Sequence, residues 1–344
     1  MTHPSETGGA VARQLVDRME ELTWERHGAL ALDNARRNAA FLDRGQSIAN
    51  LREPGLGGGD AAVVIAAGPS IRRQDPIRLI KESGWKGTVI ATDSAISYCL
   101  RNGVVPDLAV TLDPHATRIV RWFGDPKLDP RVVQDDDYYR RQDMDTAFAD
   151  EMRANREILE MLDRHGPQIA IALSTSASQA VVDRVLETGM KVYWWNPMLD
   201  APERPESRSR ELYRLNRLPM INAGGNVGCA CWMIAHAVLG KKRVALTGMD
   251  FSYYDDTPYS ATQYYREALA LVGEERLEDM FIRVFNPHTG TWFYTDPAYY
   301  WYRQAFLEMV NDADCRTVNC TGGGILFGDG VEFTALADFL AEPV

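Results

Sequence analysis

The chain has 344 residues, of which 45% are hydrophobic and 25% are charged, and its formal net charge is −11. These values are ordinary for a globular protein with a large core. The acidic balance excludes a broad surface for nucleic acid or for an anionic membrane, because both need clustered Lys and Arg. No apolar run approaches the roughly 20 residues of a membrane span, and the first 30 residues are too polar for a signal peptide. We therefore expect a cytoplasmic protein.

The cysteines show no CxxC spacing and lie mostly in apolar segments. This pattern predicts buried, reduced thiols, with metal ligation as the alternative. The residues concerned are Cys99, Cys229, Cys231, Cys315 and Cys320.

The amino-terminal part is predicted to be helical. Residues 11–44 are rich in Ala, Leu, Arg and Glu and contain no proline, which favours one or two helices. The glycine-rich run 54–59 then interrupts helical order. It is typical of a connector, and a phosphate loop is the alternative, although these glycines precede the first strand. We expect residues 1–58 to form a helical extension and linker, followed by a catalytic domain over residues 59–344.

Short apolar runs rich in β-branched residues alternate with segments of helical length, and this alternation is typical of parallel βαβ units. The runs are 61–66, 88–91, 108–112, 169–173, 191–195, 244–247 and 316–319. They predict an α/β fold with a Rossmann-like, mostly parallel sheet flanked by helices. The loops after such strands emerge at one edge of the sheet, where ligands bind.

The first of these loops contains Gly68, Pro69 and Ser70, and Asp75 with Pro76 then opens a helix. A glycine lets the backbone approach a ligand, while the Ser70 hydroxyl and nearby amides can bond phosphate oxygens. An ordinary turn has the same composition, so both interpretations stay open.

Three aspartates follow strands, namely Asp93 with Ser94 beside it, Asp113 before a proline and His115, and Asp250. Each could cap the next helix or bind a ribose hydroxyl or a metal ion.

Two further loops are candidates. Gly224, Gly225 and Asn226 precede a helix predicted over residues 228–239, and amide groups at a helix amino terminus can bind an anion. Ser174 and Thr175 follow the strand 169–173 and either cap the next helix or contact a ligand.

The segment 124–165, with its prolines and the acidic run 135–137, is a candidate lid that includes a helix over about residues 145–164. Residues 196–219 are rich in Pro, Arg and Glu and are expected to form a mobile surface loop. His288 lies in a predicted loop, before a helix expected over residues 297–311. His236 lies in an apolar helix and is expected to be packed there.

Several segments resemble the core shared by MptE-like 6-hydroxymethylpterin diphosphokinase domains and motility accessory factor (Maf) flagellin glycosyltransferases. They are VVIAAGPSI, TVIATDSAISYCLRNGVVPDLAVTLDP and AGGNVGCACWMIAHAVLGKKRVALTGMDFSYY, and the resemblance covers about residues 60–330. The stretches LTGMDFSYYDDTPYS and NCTGGGILFG favour the Maf side. The same blocks are similar to bacterial sialyltransferases that use CMP-sialic acid, which place a histidine shortly before a Thr-Asp helix start.

The resemblance implies a glycosyltransferase that moves a sugar to a hydroxyl acceptor on flagellin or a glycan, and the sugar it favours is a CMP-linked nonulosonic acid. It implies that the loops carrying Ser70 and Gly225 face the donor phosphate. His288 is the expected general base, with Asp113 and His115 as alternatives. The full set of expected nucleotide-binding residues is Gly68, Pro69, Ser70, Asp93, Ser94, Ser174, Thr175, Gly224, Gly225, Asn226 and Asp250.

Two other functions stay open. The first is an MptE-like transfer of pyrophosphate from ATP to a pterin-type alcohol, in which Asp93, Asp113 and Asp250 would hold Mg²⁺. No Walker A sequence is present to support ordinary ATP binding. The second is a non-catalytic protein that binds a nucleotide sugar. No cofactor follows with certainty from the sequence.

Overall fold

The computed structural model describes residues 5–53, 55–129 and 151–344, and the fold within these ranges is organised around two sheets. The strands are β1 (Glu6–Gly8), β2 (Gln46–Ser47), β3 (Ala61–Ile65), β4 (Thr88–Thr92), β5 (Leu108–Thr111), β6 (Ala170–Ser174), β7 (Lys191–Pro197), β8 (Met220–Ile221), β9 (Arg243–Thr247), β10 (Tyr253–Tyr254), β11 (Ile282–Asn286), β12 (Thr291–Thr295), β13 (Arg316–Asn319) and β14 (Val331–Phe333).

The described helices alternate with the strands of the larger sheet. They are α1 (Ala10–Val16), α2 (Met19–Asn38), α3 (Ser70–Gln74), α4 (Pro76–Ser83), α5 (Ile96–Arg101), α6 (Ala116–Ile119), α7 (Glu151–His165), α8 (Gln179–Glu187), α9 (Arg208–Asn216), α10 (Val227–Met233), α11 (Tyr265–Val272), α12 (Pro297–Asn311) and α13 (Leu336–Ala341). Helix α10 continues as a π-helical turn over Ile234–Val238. None of the described helices combines the length and the apolar character needed to cross a bilayer.

The larger sheet is parallel throughout, in the order β14-β13-β9-β3-β4-β5-β6-β7, and β2 and β8 both pair with β7. Every residue of β3, β4, β5 and β6 is buried. Val63 and Ile65 face one apolar core and Val64 faces the other, because side chains alternate along a strand. Helices cover both faces, as a parallel sheet requires. The predicted Rossmann-like α/β fold is confirmed.

The strand order reverses between β3 and β9. The strands β4, β5, β6 and β7 are added successively on one side of β3, whereas β9, β13 and β14 lie on its other side. The loops that leave β3 and β9 therefore run in opposite directions across the sheet and leave a crevice at their carboxyl ends. This reversal point positions the candidate site.

The second sheet is antiparallel, in the order β1-β11-β12-β10, and the sequence analysis did not predict it. Its centre is a hairpin in which Asn286 of β11 pairs with Thr291 of β12. In β11, Ile282 and Val284 are buried and Arg283 is exposed, which is the alternation of a strand with one buried face. The segment around His288, predicted to be a loop, is the turn of this hairpin.

The segments 196–219 and 124–165 were predicted to be a surface loop and a lid. The expected surface loop 196–219 was wrong in part, because Arg208–Asn216 forms helix α9, whose amino terminus is capped by Ser207 accepting from the Arg210 amide. Half of the predicted lid, residues 130–150 with the acidic run 135–137, lies outside the described residues, so the lid stays a prediction.

The predicted amino-terminal helices are confirmed as α1 and α2. The segment before residue 59 also joins both sheets, because β1 pairs with β11 and β2 pairs with β7. The five cysteines are free thiols, and four of them are buried.

Candidate functional site

A cavity of about 780 Å³ lies at the carboxyl ends of the parallel strands. Loops after β9, β3, β4, β5, β6 and β7 line it, and these six strands are consecutive neighbours in the sheet. Neighbouring strands are about 4.8 Å apart, so the loop ends span roughly 24 Å. Helices α2, α10 and α12 also contribute to the lining. The cavity is therefore long enough for two substrates side by side.

Most of the predicted site residues converge here although they are far apart in the sequence. The predicted residues that line the cavity are Gly68, Pro69, Asp93, Ser94, Asp113, His115, Gly224, Gly225, Asn226 and Asp250.

The loop after β3 is braced by a carboxylate from the loop after β9. The Ser70 amide and hydroxyl both donate to Asp250 Oδ2, at 3.2 and 2.8 Å. A Cβ on Gly68 would lie 2.4 Å from that same oxygen and 2.4 Å from the Gly248 carbonyl, so only glycine fits. Burial raises the pKa of Asp250 to about 7, and the hydrogen bonds from Ser70 oppose this shift. Ser70 thus lies behind the cavity surface and positions the loop.

Asp93 is the second buried acid at the strand ends. It is 1% exposed, and its Oδ1 accepts a hydrogen bond from the Ser94 amide at 2.8 Å. Burial, together with the nearby charge of Asp113, raises the pKa of Asp93 to about 7, while hydrogen bonds from Thr111 and Ser94 oppose this shift. Near neutral pH this carboxyl can therefore either donate or accept a hydrogen bond.

The loop before α10 has the geometry of an anion site. Gly224 and Gly225 both have positive φ angles, +53° and +81°. The Asn226 side chain caps the helix by accepting from the Cys229 amide at 3.0 Å. The next residues, Val227 and Gly228, line the cavity, and amides in the first turn of a helix point outward toward an anion.

The metal site that the diphosphokinase interpretation requires is not formed by the three aspartates. In the described ranges, no group of three His, Cys, Asp or Glu side chains is arranged to hold a metal ion. The sheet order explains this result, because β9 is two strands away from β4, a separation of roughly 10 Å. Asp250 is moreover occupied by Ser70. The three carboxyl groups are therefore not grouped as a joint ligand set, and the binding of Mg²⁺ by Asp93, Asp113 and Asp250 stays a prediction that depends on the diphosphokinase interpretation.

Two predicted residues are used in packing the loop after β6. Ser174 Oγ accepts from the Ser176 amide at 3.1 Å, and Thr175 Oγ1 donates to Asn196 Oδ1 at 2.7 Å. Both side chains are fully buried, and Ser176 lines the cavity instead.

The structure does not bring His288 to the cavity. It lies exposed in the β11–β12 turn, where its amide donates to Asn286 Oδ1 at 2.8 Å. Its ring stacks on Phe333 with the ring centroids 4.7 Å apart.

Helix α2 supplies residues that the sequence analysis did not assign to the site. Trp24, His27 and Ala31 line the cavity, and they recur at the three- and four-residue spacing of one helix face. His27 Nδ1 lies 3.1 Å from His115 Nε2. Asn34 and Asn38 continue the same spacing, so the buried face of α2 is partly polar. This pattern is the signal that could have revealed the face.

Helix α12 contributes an aromatic side to the cavity through Tyr299, Trp301 and Tyr302. A Cβ on Gly225 would lie 2.3 Å from the Trp301 ring and 2.8 Å from the Tyr302 ring. The aromatic side chains thus lie directly against the glycine loop, where a base could stack beside its own phosphate.

The charged lining is acidic. Among the described residues, the lining contains one guanidinium group and five carboxyl groups. The guanidinium belongs to Arg26, and the carboxyl groups belong to Glu20, Asp93, Asp113, Asp250 and Glu308. An anion in this cavity therefore depends on backbone amides, or on a cation that it brings with it, more than on basic side chains.

Comparison with known proteins adds two findings to this geometry. Residues 33–125 match the family of 6-hydroxymethylpterin diphosphokinase MptE-like proteins. Over this stretch the chain is similar to that family. The MptE-like stretch begins in α2 and contains β3, β4, β5 and the loop with Asp113 and His115. No curated protein matches the chain in sequence.

A solved structure of a Maf glycosyltransferase from Magnetospirillum magneticum AMB-1 has a similar fold. Its TM-score is 0.52 at 16% identity, and the match covers 89% of this chain. The chain spans 38% of the length of the Maf structure. The resemblance to MptE-like and Maf proteins that was predicted from the sequence is confirmed, while the relation to sialyltransferases stays a prediction.

Proposed function

We propose that the protein is a glycosyltransferase that moves a sugar from a nucleotide donor to a hydroxyl acceptor on a glycan or on flagellin. The observation that carries this proposal is the single long cavity, which has glycine loops suited to a phosphate at the reversal point and the imidazole of His115 two strands away. The fold of a Maf glycosyltransferase supports the same reaction class.

A CMP-linked donor suits the lining best. The donor phosphate would lie between Gly68 and Gly225, close to the amino terminus of α10, and the cytosine ring would stack on Trp301 or Tyr302. A CMP-sugar has one phosphoryl group, whereas sugars linked to nucleoside diphosphates have two. The single group needs less neutralisation in a cavity with five carboxyl groups and one guanidinium. We therefore favour a CMP-linked nonulosonic acid.

In this proposal the acceptor hydroxyl loses its proton to His115 as its oxygen attacks the anomeric carbon. The bond between that carbon and the phosphate oxygen breaks, and CMP leaves with the electron pair. Asp113 Oδ1 accepts a hydrogen bond from the His115 amide at 2.9 Å and so fixes the loop that carries the base.

The donor site is tested by thermal stabilisation with CMP, CDP and ATP, each with and without Mg²⁺. We expect CMP to raise the melting temperature without Mg²⁺. Gly225→Ala should abolish that shift, because a Cβ there meets Trp301 and the φ angle is +81°. Gly273→Ala is the matched control, since its φ is +73° but no atom lies within 4 Å of the added Cβ. Stabilisation only by ATP with Mg²⁺ would contradict the proposal.

The choice of base is tested by two substitutions. His115→Gln should lower release of CMP from CMP-N-acetylneuraminate at least about a hundredfold with little change in CMP binding. His288→Ala should leave turnover within about twofold, because His288 lies in the hairpin turn outside the cavity. The reverse result would restore His288 as the base. Binding of CMP with no transfer or hydrolysis by the wild type would favour a non-catalytic binding protein.

The second candidate is MptE-like transfer of pyrophosphate from ATP to a pterin-type alcohol. The match over residues 33–125 favours it, and so does the acidic lining, because Mg²⁺ carried in with the ATP phosphates would offset those carboxyl groups. This function predicts that ATP raises the melting temperature of the protein only when Mg²⁺ is present, which distinguishes it from the glycosyltransferase.

A further inference from the structure

Two histidines from distant parts of the chain meet in the cavity. His27 Nδ1 and His115 Nε2 are 3.1 Å apart, a hydrogen-bond distance. The rings are edge to face, with an interplanar angle of 88° and centroids 4.9 Å apart. In such a contact one ring nitrogen carries the proton and donates it to the lone pair of the other. The two imidazoles are therefore joined through one proton.

The helix that carries His27 is fastened to the loop that carries His115. Asn34 Nδ2 donates to the Pro114 carbonyl and to the Ser176 carbonyl, both at 2.9 Å, and Asn34 is fully buried. Asn34 lies seven residues after His27, which places both on the same face of α2. Because Pro114 directly precedes His115, the two rings are held at a defined separation.

We propose that His27 and His115 act together as the proton-accepting pair of the transfer reaction, so that His27 is a catalytic residue supplied by the amino-terminal helix. This inference rests on the proposed function. The acceptor O–H proton moves to the outer nitrogen of one ring, and the proton shared between the rings shifts from that ring to the facing nitrogen of the second ring. A proton then leaves from the far nitrogen of the second ring. The new bond joins the acceptor oxygen to the anomeric carbon, and the electron pair of the broken bond leaves with the phosphate.

The surroundings suit a pair that becomes positively charged during the reaction. Five carboxyl groups line the same cavity, with Arg26 on α2 as the basic residue among the described lining. They are Glu20 on α2, Asp93, Asp113 and Asp250 at the strand ends, and Glu308 on α12. Nearby carboxylates stabilise an imidazolium ion, and passing the proton from ring to ring keeps it away from the departing phosphate.

The kinetic test compares His27→Gln, His115→Gln and the double variant, with CMP-N-acetylneuraminate as the donor and CMP release as the readout. Each single variant should lower kcat at least about a hundredfold with KM within about threefold. The double variant should be no slower than the slower single one, because residues that act as a unit are not additive. His165→Gln, on α7, is the control and should keep normal turnover. Near-normal kcat in His27→Gln, or losses that multiply in the double variant, would overturn the pair.

A second measurement needs no substrate and uses His27→Phe, which keeps an aromatic ring but has no nitrogen. The ¹⁵N spectrum of the histidine rings shows which nitrogen of His115 carries the proton. Loss of His27 should change the His115 signals, and unchanged signals would overturn the pair. If the wild type releases no CMP but the signals are coupled, the proposed donor fails while the pair stands.

Discussion

Asp250 is an acid that the fold keeps neutral over a wide pH range. Its pKa of about 7 in the folded protein lies above the ordinary value of 3.8, because burial disfavours the charged form. The folded state therefore holds a proton that the unfolded state releases above pH 4. This contribution to stability is fully present below pH 3.8 and is lost as the pH rises through 7. The difference between the two pKa values corresponds to roughly 4 kcal/mol of stability at most.

Asp250→Asn should remove this pH dependence. The amide keeps an oxygen for the two Ser70 donors and has no charge to bury. We expect the free energy of unfolding of the variant, relative to the wild type, to increase between pH 4 and pH 8. Chemical denaturation across this range measures it, and Asp312→Asn, at the exposed end of α12, is the control. A difference that stays constant with pH would show that Asp250 ionises normally.

The convergence of residues at strand ends could be predicted, while the contact between the two histidines could not. Gly68, Asp93 and Asp113 follow buried strands, and the carboxyl ends of parallel strands meet at one edge whatever the rest of the fold. The contact between His27 and His115 joins residues 88 positions apart, and no local pattern encodes it. His288 was expected near the site because a histidine shortly before a Thr-Asp helix start resembles the sialyltransferase pattern, whereas the structure places it in an exposed hairpin turn.

At the scale of elements, α2 is an amphipathic helix whose buried face is partly polar. Asn34 and Asn38 on this face satisfy four carbonyl groups of the loops after β5 and β6. Those carbonyls lie beyond the strands, where no neighbouring strand supplies donors, and a buried carbonyl without a partner is costly. The helix thus completes the hydrogen bonding of the sheet edge and positions His27 at the same time. Sequence patterns of apolar residues alone do not reveal such a role.

Asn34→Ala should loosen this attachment. The substitution leaves the carbonyls of Pro114 and Ser176 without a donor, which we expect to cost about 1–3 kcal/mol in the free energy of unfolding. Amide hydrogen exchange should become faster in α2, and CMP release should fall because His27 is displaced. Asn102→Ala is the control, since it removes one exposed hydrogen bond to the Tyr98 carbonyl. An equal decrease in the free energy of unfolding and in CMP release in the two variants would contradict a special role for Asn34.

For the whole molecule, the parallel sheet could be predicted and the antiparallel sheet could not. The parallel strands are short, apolar and separated by helices, so their type follows from local composition. In the second sheet, Glu6 pairs with Val284 across almost the entire chain, and β1 is three residues long. A strand of that length is stable only in the presence of its partner, which is a property of the assembled fold.

The same pairings predict the outcome of a truncation. A chain of residues 59–344 lacks β1, β2 and α2, which exposes an edge of each sheet and the loop carbonyls that Asn34 and Asn38 bond. We expect this chain to lose cooperative unfolding and to bind hydrophobic dyes. Near-ultraviolet circular dichroism and dye fluorescence measure these properties against the full chain. A cooperative fragment that still binds CMP would establish residues 59–344 as an independent domain.

The hydrogen bond from the Ser70 hydroxyl to the Asp250 carboxyl group joins residues 180 positions apart. During synthesis, a chain that has left the ribosome only as far as β7 already has the serine loop but not its carboxylate partner. The loop becomes fixed only when β9 inserts beside β3, late in translation. Under the proposed function, a chain synthesised only as far as β7 is therefore not expected to bind nucleotide, and binding is expected only once β9 has paired with β3.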